Sequence, residues 1–111
     1  MIVDQYLPAS RRTELAPRLN NLAWSFVAPH SPDHDASGIG LRLAREACSL
    51  TQHQNAATLS TLAEAEFLNG HFTEAVAAGE EAVRLWPADR TDVPLAAIVA
   101  DLARYRRAVK K

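Results

Sequence analysis

The hydrophobic residues of the chain recur at intervals of three and four positions, which is the spacing of residues on one face of an α-helix. The first clear run consists of Leu15, Leu19, Leu22, Ala23 and Phe26. It predicts a helix from about residue 17 to residue 28. Pro17 suits the first turn of this helix, where a missing N–H breaks no hydrogen bond, and Pro29 marks its end.

Two further runs predict the second and third helices. The second begins near Ser37, a favourable capping residue, and its apolar stripe consists of Leu41, Ala44, Ala47, Cys48 and Leu50. The polar residues 51 to 55 form a connector. The third helix is marked by Leu59, Leu62, Ala63, Ala65 and Phe67. It ends at Asn69-Gly70, because glycine readily adopts the left-handed conformation found at helix ends.

The remaining sequence predicts a fourth and a fifth helix. The fourth starts near Thr73 and ends before Pro87, and its inward residues are Ala75, Val76, Ala78, Ala82, Val83 and Leu85. The fifth runs from about residue 92 to residue 109, with Leu95, Ile98, Val99, Leu102 and Tyr105 facing inward. Frequent alanines favour helix, so we expect an all-α protein without a β-sheet. The residues expected to be buried are Leu22, Ala47, Leu62, Ala75, Ala82 and Leu85.

The helices contain an internal repeat. The motif Leu19-x-x-Leu22-Ala23 recurs as Leu59-x-x-Leu62-Ala63, and the motif Ala47-x-x-Leu50 recurs as Ala82-x-x-Leu85. One helix pair therefore occurs twice within residues 17 to 89.

The second copy resembles a tetratricopeptide repeat (TPR), a unit of about 34 residues with a large residue, Leu-Gly, an aromatic, alanines and a closing proline. The residues that carry the resemblance are Leu59, Leu62, Ala63, Asn69, Gly70, Phe72, Ala75, Ala82 and Pro87. The resemblance implies a short α-solenoid of antiparallel helix pairs with about five helices. Residues 1 to 16 are then an N-terminal segment, residues 17 to 89 hold two degenerate repeats, and residues 90 to 111 form a C-terminal capping helix.

Both copies depart from the family pattern. In the second copy Glu66 stands where the family has an aromatic, and Gly79 replaces a large residue, which predicts thinner packing there. In the first copy the loop between the helices is longer, Gly40 takes the place of an alanine, and Gln52 replaces the closing proline.

In the TPR family the first helix of each pair lines a concave groove that binds an extended peptide or a helix. The matching positions in this chain are Asn20, Trp24, Val27, Ser60, Glu64, Phe67 and Leu68. Trp24 is the expected anchor, because large aromatic residues dominate the energetics of interfaces. The alternative is that Trp24 packs against the N-terminal segment.

Composition narrows the possible partners and the compartment. The chain has 12 Lys and Arg against 13 Asp and Glu, so a net charge of -1 argues against nucleic acid as a partner. The single cysteine, Cys48, excludes an internal disulfide and favours a reducing, cytoplasmic location. The sequence contains no run of about 18 apolar residues, so it predicts no transmembrane helix. Asp4 stands where a signal peptide carries basic residues, so we expect no export signal.

The sequence offers no convincing catalytic centre and implies no cofactor. Cys48 is the one strong nucleophile, and its place on an apolar helix face predicts a buried packing thiol. The helix glutamates are expected to be solvated: Glu46, Glu64, Glu66, Glu74, Glu80 and Glu81. Gly38-Ile39-Gly40 is too short for a phosphate-binding loop. His53 and His71 lie in connectors, where local hydrogen bonds are expected.

Two other segments have alternative interpretations. The loop from His30 to Asp35 contains two histidines and two aspartates, which are possible metal ligands, although a solvated connector is the interpretation we favour. The basic residues near the C-terminus are Arg104, Arg106, Arg107, Lys110 and Lys111. They complement the helix dipole, and the alternative is contact with acidic groups, phosphate or anionic lipid.

These observations predict a non-catalytic protein-protein interaction module that binds a protein or peptide. One alternative is a terminal piece of a larger repeat protein with a stacking role, and another is a metal-binding enzyme that uses the His30 to Asp35 loop. Two repeats fall below the roughly three that a stable solenoid needs. We therefore expect a homo-oligomer or a subunit of a larger complex, with Tyr6 and Leu7 contacting the neighbouring molecule.

Overall fold

The computed structural model describes residues 9–28, 37–87 and 95–110. These ranges contain five α-helices: α1 at Ala9–Val27, α2 at Ser37–Leu50, α3 at Ala56–Leu68, α4 at Phe72–Leu85 and α5 at Leu95–Val109. The described ranges contain no strand, which confirms the predicted all-α class and the five helices.

Helix α1 begins eight residues earlier than the sequence predicted. Pro17 lies inside the helix and not in its first turn, so the helix loses the hydrogen bond that an N–H at this position would donate. The prediction was wrong because the preceding residues also join the helix, and Ala16 is buried. Tyr6 and Leu7 lie outside the described residues, so the association expected at them stays a prediction.

Helix α3 is the central helix of the fold. It contacts α1, α2 and α4, and nine of its 13 residues are buried. A helix surrounded on all sides shows no single polar face. The buried set therefore includes the polar residues Thr58, Thr61, Glu64 and Glu66.

Short turns join α2 to α3 and α3 to α4. In the first turn Gln52 and His53 have φ angles of 55° and 57°. Asn55 then caps α3, and its side chain accepts a hydrogen bond of 3.0 Å from the backbone N–H of Thr58. In the second turn Gly70 has a φ angle of 79°. The prediction that α3 ends at Asn69-Gly70 is confirmed.

Two glycines allow close helix packing. A Cβ added at Gly40 would lie 2.7 Å from Cγ1 of Val27, so α2 approaches α1 more closely than an alanine would permit. A Cβ at Gly79 would lie 3.0 Å from Cδ1 of Leu102 on α5. The expectation of thinner packing at Gly79 is wrong, because α5 fills this space.

The predicted core is correct in most places. Ala47, Leu62, Ala75 and Ala82 are buried, whereas Leu85 is only partly buried. Leu22 is 50% exposed because α1 turns Ala16, Ala23 and Val27 inward instead.

Helix α5 buries a narrower stripe than predicted. Ile98, Leu102 and Tyr105 are buried, and they follow the i, i+4, i+7 spacing of one helix face. Leu95 and Val99 were expected to face inward, but they remain about half exposed.

Within the described ranges, no helix is both long and apolar enough to cross a membrane.

Candidate functional site

An open groove of about 360 Å³ lies between α1, α3 and α5. We call it the α1/α3/α5 groove. The lining residues on which its chemistry depends are Asn20, Trp24, Ser60, Trp86, Ile98 and Asp101. Trp86 is the residue directly after α4, and the other five belong to the three helices.

Each helix presents one face to the groove. Asn20 and Trp24 are four residues apart on α1, and residues at this spacing are neighbours on a helix surface. The contribution of α3 is Ala57, Ser60 and Thr61, and that of α5 is Ala97, Ile98 and Asp101. Apart from Trp86, the walls are therefore regular helices, which hold side chains more rigidly than loops do.

The structure brings together three of the seven residues that the sequence placed in a groove. Asn20, Trp24 and Ser60 line it together. Val27 is fully buried in the core and Glu64 is 3% exposed, so neither faces the groove as expected.

Phe67 and Leu68 are also absent from the groove lining, because both pack against the core. The ring of Phe67 lies 5.1 Å from the ring of Tyr105 and 5.4 Å from that of Phe72.

Trp86 and Asp101 were missed by the sequence analysis. Helix α5 was interpreted as a cap that only covers the end of the array, so its own groove face was not considered. The amphipathic pattern of α5 contained the signal: Asp101 lies three residues after Ile98 and therefore on a neighbouring part of the helix surface.

The groove combines aromatic surface with hydrogen-bond acceptors. Among the described lining residues Asp101 is the only charged one. Oδ1 of Asn20 is buried and has no hydrogen-bond partner among the described residues. The sequence contains two tryptophans, and both line the groove.

Asp101 belongs to a charged cluster beside the groove. Burial raises the pKa of its carboxyl group, the guanidinium of Arg104 opposes this rise, and the carboxylate of Glu64 adds to it. Nη2 of Arg104 lies 3.5 Å from Oδ1 of Asp101 but 2.5 Å from Oε1 of Glu64. Arg104 is therefore bound mainly to Glu64, and its contact with Asp101 is weak.

Glu64 joins α3 to α5 behind the groove. Its Oε1 accepts hydrogen bonds from Arg104 and, at 2.7 Å, from the hydroxyl group of Tyr105. Burial and the neighbouring Glu64 carboxylate raise the pKa of the Tyr105 hydroxyl. The prediction that Glu64 is solvated is wrong, because its partners from α5 satisfy the buried carboxylate.

Glu66 makes a similar connection on another side of α3. Its Oε1 lies 3.1 Å from Nη2 of Arg45 on α2 and 2.8 Å from Nδ1 of His71 in the turn before α4. Glu66 is 6% exposed, so the prediction of a solvated glutamate is wrong here too. The expectation of a local hydrogen bond at His71 is confirmed.

Cys48 packs in the hydrophobic core. Cys48 is fully buried, and burial raises the pKa of its thiol to about 11, against a smaller opposing effect of a hydrogen bond with Thr58. The predicted packing thiol is confirmed.

The described ranges contain no group of three or more potential metal ligands. The loop from His30 to Asp35 lies outside the described residues.

The basic end of α5 is partly paired. Arg104 is bound to Glu64, and Nη2 of Arg106 lies 3.2 Å from a carboxylate oxygen of Glu80 at an exposed site. Arg107 and Lys110 are exposed, which agrees with a solvated helix end. Lys111 is outside the described residues.

A second cavity of about 380 Å³ adjoins the groove. It shares Asn20, Asn21 and Ala57 with the groove, and it extends along α1 to Ala16 and past the α2–α3 turn to Leu50. The two cavities therefore share part of their lining on α1 and α3.

Comparison of the chain with models of known protein families, with curated proteins and with solved structures gave no match. The resemblance to TPR proteins therefore rests on the residue pattern of the second helix pair and stays a prediction.

Proposed function

We propose that this chain is a non-catalytic protein-binding module, a TPR-like scaffold or accessory subunit, that holds a protein or peptide partner in the α1/α3/α5 groove. The proposal includes antiparallel pairing of α1 with α2 and of α3 with α4, followed by α5 as a cap. The observation that carries it is the construction of one groove from three alternate helices of the chain. Stacked helix pairs create extended binding surfaces in this way.

The chemistry of the groove supports binding of a partner. Tryptophan is among the residue types most enriched where interface energy concentrates, and Trp24 is 38% exposed while also lining the groove. Five of the ten described lining residues are polar: Asn20, Asn21, Ser60, Thr61 and Asp101. A lining that combines tryptophan surface with hydrogen-bonding groups can hold a ligand by packing and orient it by polar contacts.

The proposal of a binding module rather than an enzyme draws support from Cys48. A catalytic thiol needs a lowered pKa and access to substrate. Cys48 has neither, because it is fully buried and its pKa is raised to about 11.

A second candidate function is stacking within a larger helical assembly. Leu95 and Val99 are four residues apart on α5 and are 44% and 46% exposed. An additional helix packed on this face would bury both side chains. In that case α5 would be an internal helix, and the chain would serve mainly to extend an array.

Selection of peptides from a displayed random library, followed by NMR, tests the proposed function. The two indole N–H signals of the chain come from Trp24 and Trp86, and both residues line the groove. We expect selected peptides to shift both signals. Peptides that bind without moving either signal, or the failure to select any peptide, would contradict binding in the groove.

A further inference from the structure

We propose that the α1/α3/α5 groove takes a basic side chain, the arginine or lysine of a partner peptide, with Asp101 as its counter-ion and the indoles of Trp24 and Trp86 as its packing surface. This inference rests on the proposed function and specifies the chemistry of the partner. It follows from the charge of the groove and from its aromatic residues.

The charge of the groove favours a cation. Asp101 is the only charged residue among the described lining residues, and it is acidic. Arg104, the nearest base, is shared with Glu64, so two carboxylates face one guanidinium. The shorter contact of Arg104 is with Glu64, which leaves most of the acceptor capacity of the Asp101 carboxylate for a ligand.

The aromatic lining also favours a cation. Tryptophan is the best partner for an ammonium or guanidinium group placed over a ring face, and the groove contains two tryptophans. The chain makes the same kind of contact internally. The guanidinium carbon of Arg104 lies 4.7 Å from the ring centre of Phe67 and 5.2 Å from that of Tyr105, beside the carboxylate of Glu64.

Other side-chain types fit less well. An acidic side chain would meet Asp101 with no basic residue in the described lining to compensate. An apolar side chain would cover the Asp101 carboxylate without a hydrogen bond, which is unfavourable for a charged group. The volume of about 360 Å³ is near the lower end of small-molecule sites, about 300 to 1,000 Å³, and suits one or two side chains of a peptide.

The direct test uses N-acetyl-arginine amide and its citrulline counterpart as probes, with the full chain and NMR detection of the two indole N–H signals. Citrulline has nearly the same shape as arginine but no charge. We expect the arginine probe to shift both signals and to bind at least tenfold more tightly than the citrulline probe. Equal binding of the two probes, or no arginine-dependent shift up to the solubility limit, would overturn the inference.

Two variants localise the effect. Asp101→Asn removes the charge and should weaken binding of the arginine probe by about tenfold or more. Glu80→Gln is the matched control, because Glu80 is an exposed carboxylate outside the groove, and it should leave binding unchanged. Equal affinities of the Asp101→Asn variant and the original chain would contradict the assigned counter-ion. Circular dichroism establishes that both variants are folded.

The selected peptides separate this inference from the proposed function. If a peptide shifts both indole signals but keeps its affinity when every arginine becomes citrulline and every lysine becomes norleucine, the groove binds peptides and the basic specificity is wrong. If no peptide shifts the indole signals, the proposed function itself fails.

Discussion

The hydroxyl group of Tyr105 donates a 2.7 Å hydrogen bond to the carboxylate of Glu64 in a buried contact between α5 and α3. Tyr105 is 2% exposed and Glu64 is 3% exposed. The same carboxylate binds Arg104. This contact holds α5 against the central helix, and Asp101, one turn earlier on α5, thereby takes its place in the groove wall.

We therefore predict that Tyr105→Phe destabilises the protein by about 1 to 3 kcal/mol, because the buried carboxylate loses one hydrogen-bond donor while the ring is retained. Urea denaturation at neutral pH measures the change in unfolding free energy. Glu80→Gln, at an exposed pair with Arg106, is the control and should change stability by less than about 0.5 kcal/mol. Equal effects of the two substitutions would argue against a structural role for the Tyr105 contact.

Two glycines of α2 provide a test of helix packing. A Cβ at Gly40 would lie 2.7 Å from Cγ1 of Val27 and 3.0 Å from Cβ of Phe26, whereas a Cβ at Gly38 would be 3.9 Å from its nearest neighbour. Gly40→Ala should destabilise the protein by about 1 to 3 kcal/mol through overpacking.

Gly38→Ala is the matched control for this prediction, since it changes the same residue type two positions away. It should be neutral or stabilising by up to about 1 kcal/mol, because alanine favours helix more than glycine does. Thermal or urea unfolding measures both variants. If Gly40→Ala stabilises the protein, α1 and α2 must be farther apart at this position than the 2.7 Å between a Gly40 Cβ and Cγ1 of Val27 implies.

The two leucines of the internal repeat should differ sharply in their effect on stability. Leu62 is 7% exposed and Leu22 is 50% exposed, although both occupy the same position of the repeated motif. Leu62→Ala should cost about 2 to 5 kcal/mol because it leaves a cavity in the core. Leu22→Ala should cost less than about 0.5 kcal/mol. Similar losses in the urea midpoint would mean that the two repeats are buried alike.

The effect of Asp101→Asn on stability should depend on pH, and the direction follows from the sign of the pKa shift of Asp101. Burial raises the pKa of Asp101 in the folded state above its ordinary value of 3.8. Ionisation is therefore less favourable in the folded chain than in the unfolded chain, and this residue's contribution to stability decreases as the pH rises through that region. Since about 44% of the side chain remains exposed, the effect is small.

The expected result is that the Asp101→Asn variant is at least as stable as the original chain at pH 7. The part of the difference that comes from the Asp101 charge should disappear well below pH 3.8, where the carboxyl group is protonated in both the folded and the unfolded state. Thermal unfolding of the variant and the original chain, from pH 7 to below pH 3.8, measures this difference. A loss of stability on substitution at pH 7 would indicate that Asp101 serves to hold the fold together rather than to bind a ligand.

The sequence predicted those features that depend on neighbouring residues. The helix spacing located α2 to α5, and Asn69-Gly70 marked the end of α3. Pro17 was misinterpreted because a proline at a helix start and a proline tolerated within a helix produce the same local pattern. Helical spacing also cannot decide how wide a stripe is buried, which explains the wrong prediction for Val99.

The features that the sequence could not predict involve residues far apart in the chain. Glu64 and Tyr105 are separated by 41 positions, and Arg45 and Glu66 by 21. A glutamate on a helix is usually solvated, and only its partners from other helices allow it to be buried. Trp24 and Trp86 line one groove for the same reason, because the packing of α1, α3, α4 and α5 determines which surfaces meet.

The most direct test of the groove compares two aromatic substitutions in peptide binding. Trp24 lines the groove and is 38% exposed, and Phe72 lies elsewhere and is 37% exposed. For a peptide selected on the original chain, Trp24→Ala should weaken binding by about tenfold or more, equivalent to about 1.4 kcal/mol, whereas Phe72→Ala should leave the dissociation constant unchanged. Unchanged affinity in the Trp24→Ala variant, or an equal loss in both variants, would contradict the assignment of the α1/α3/α5 groove as the binding site.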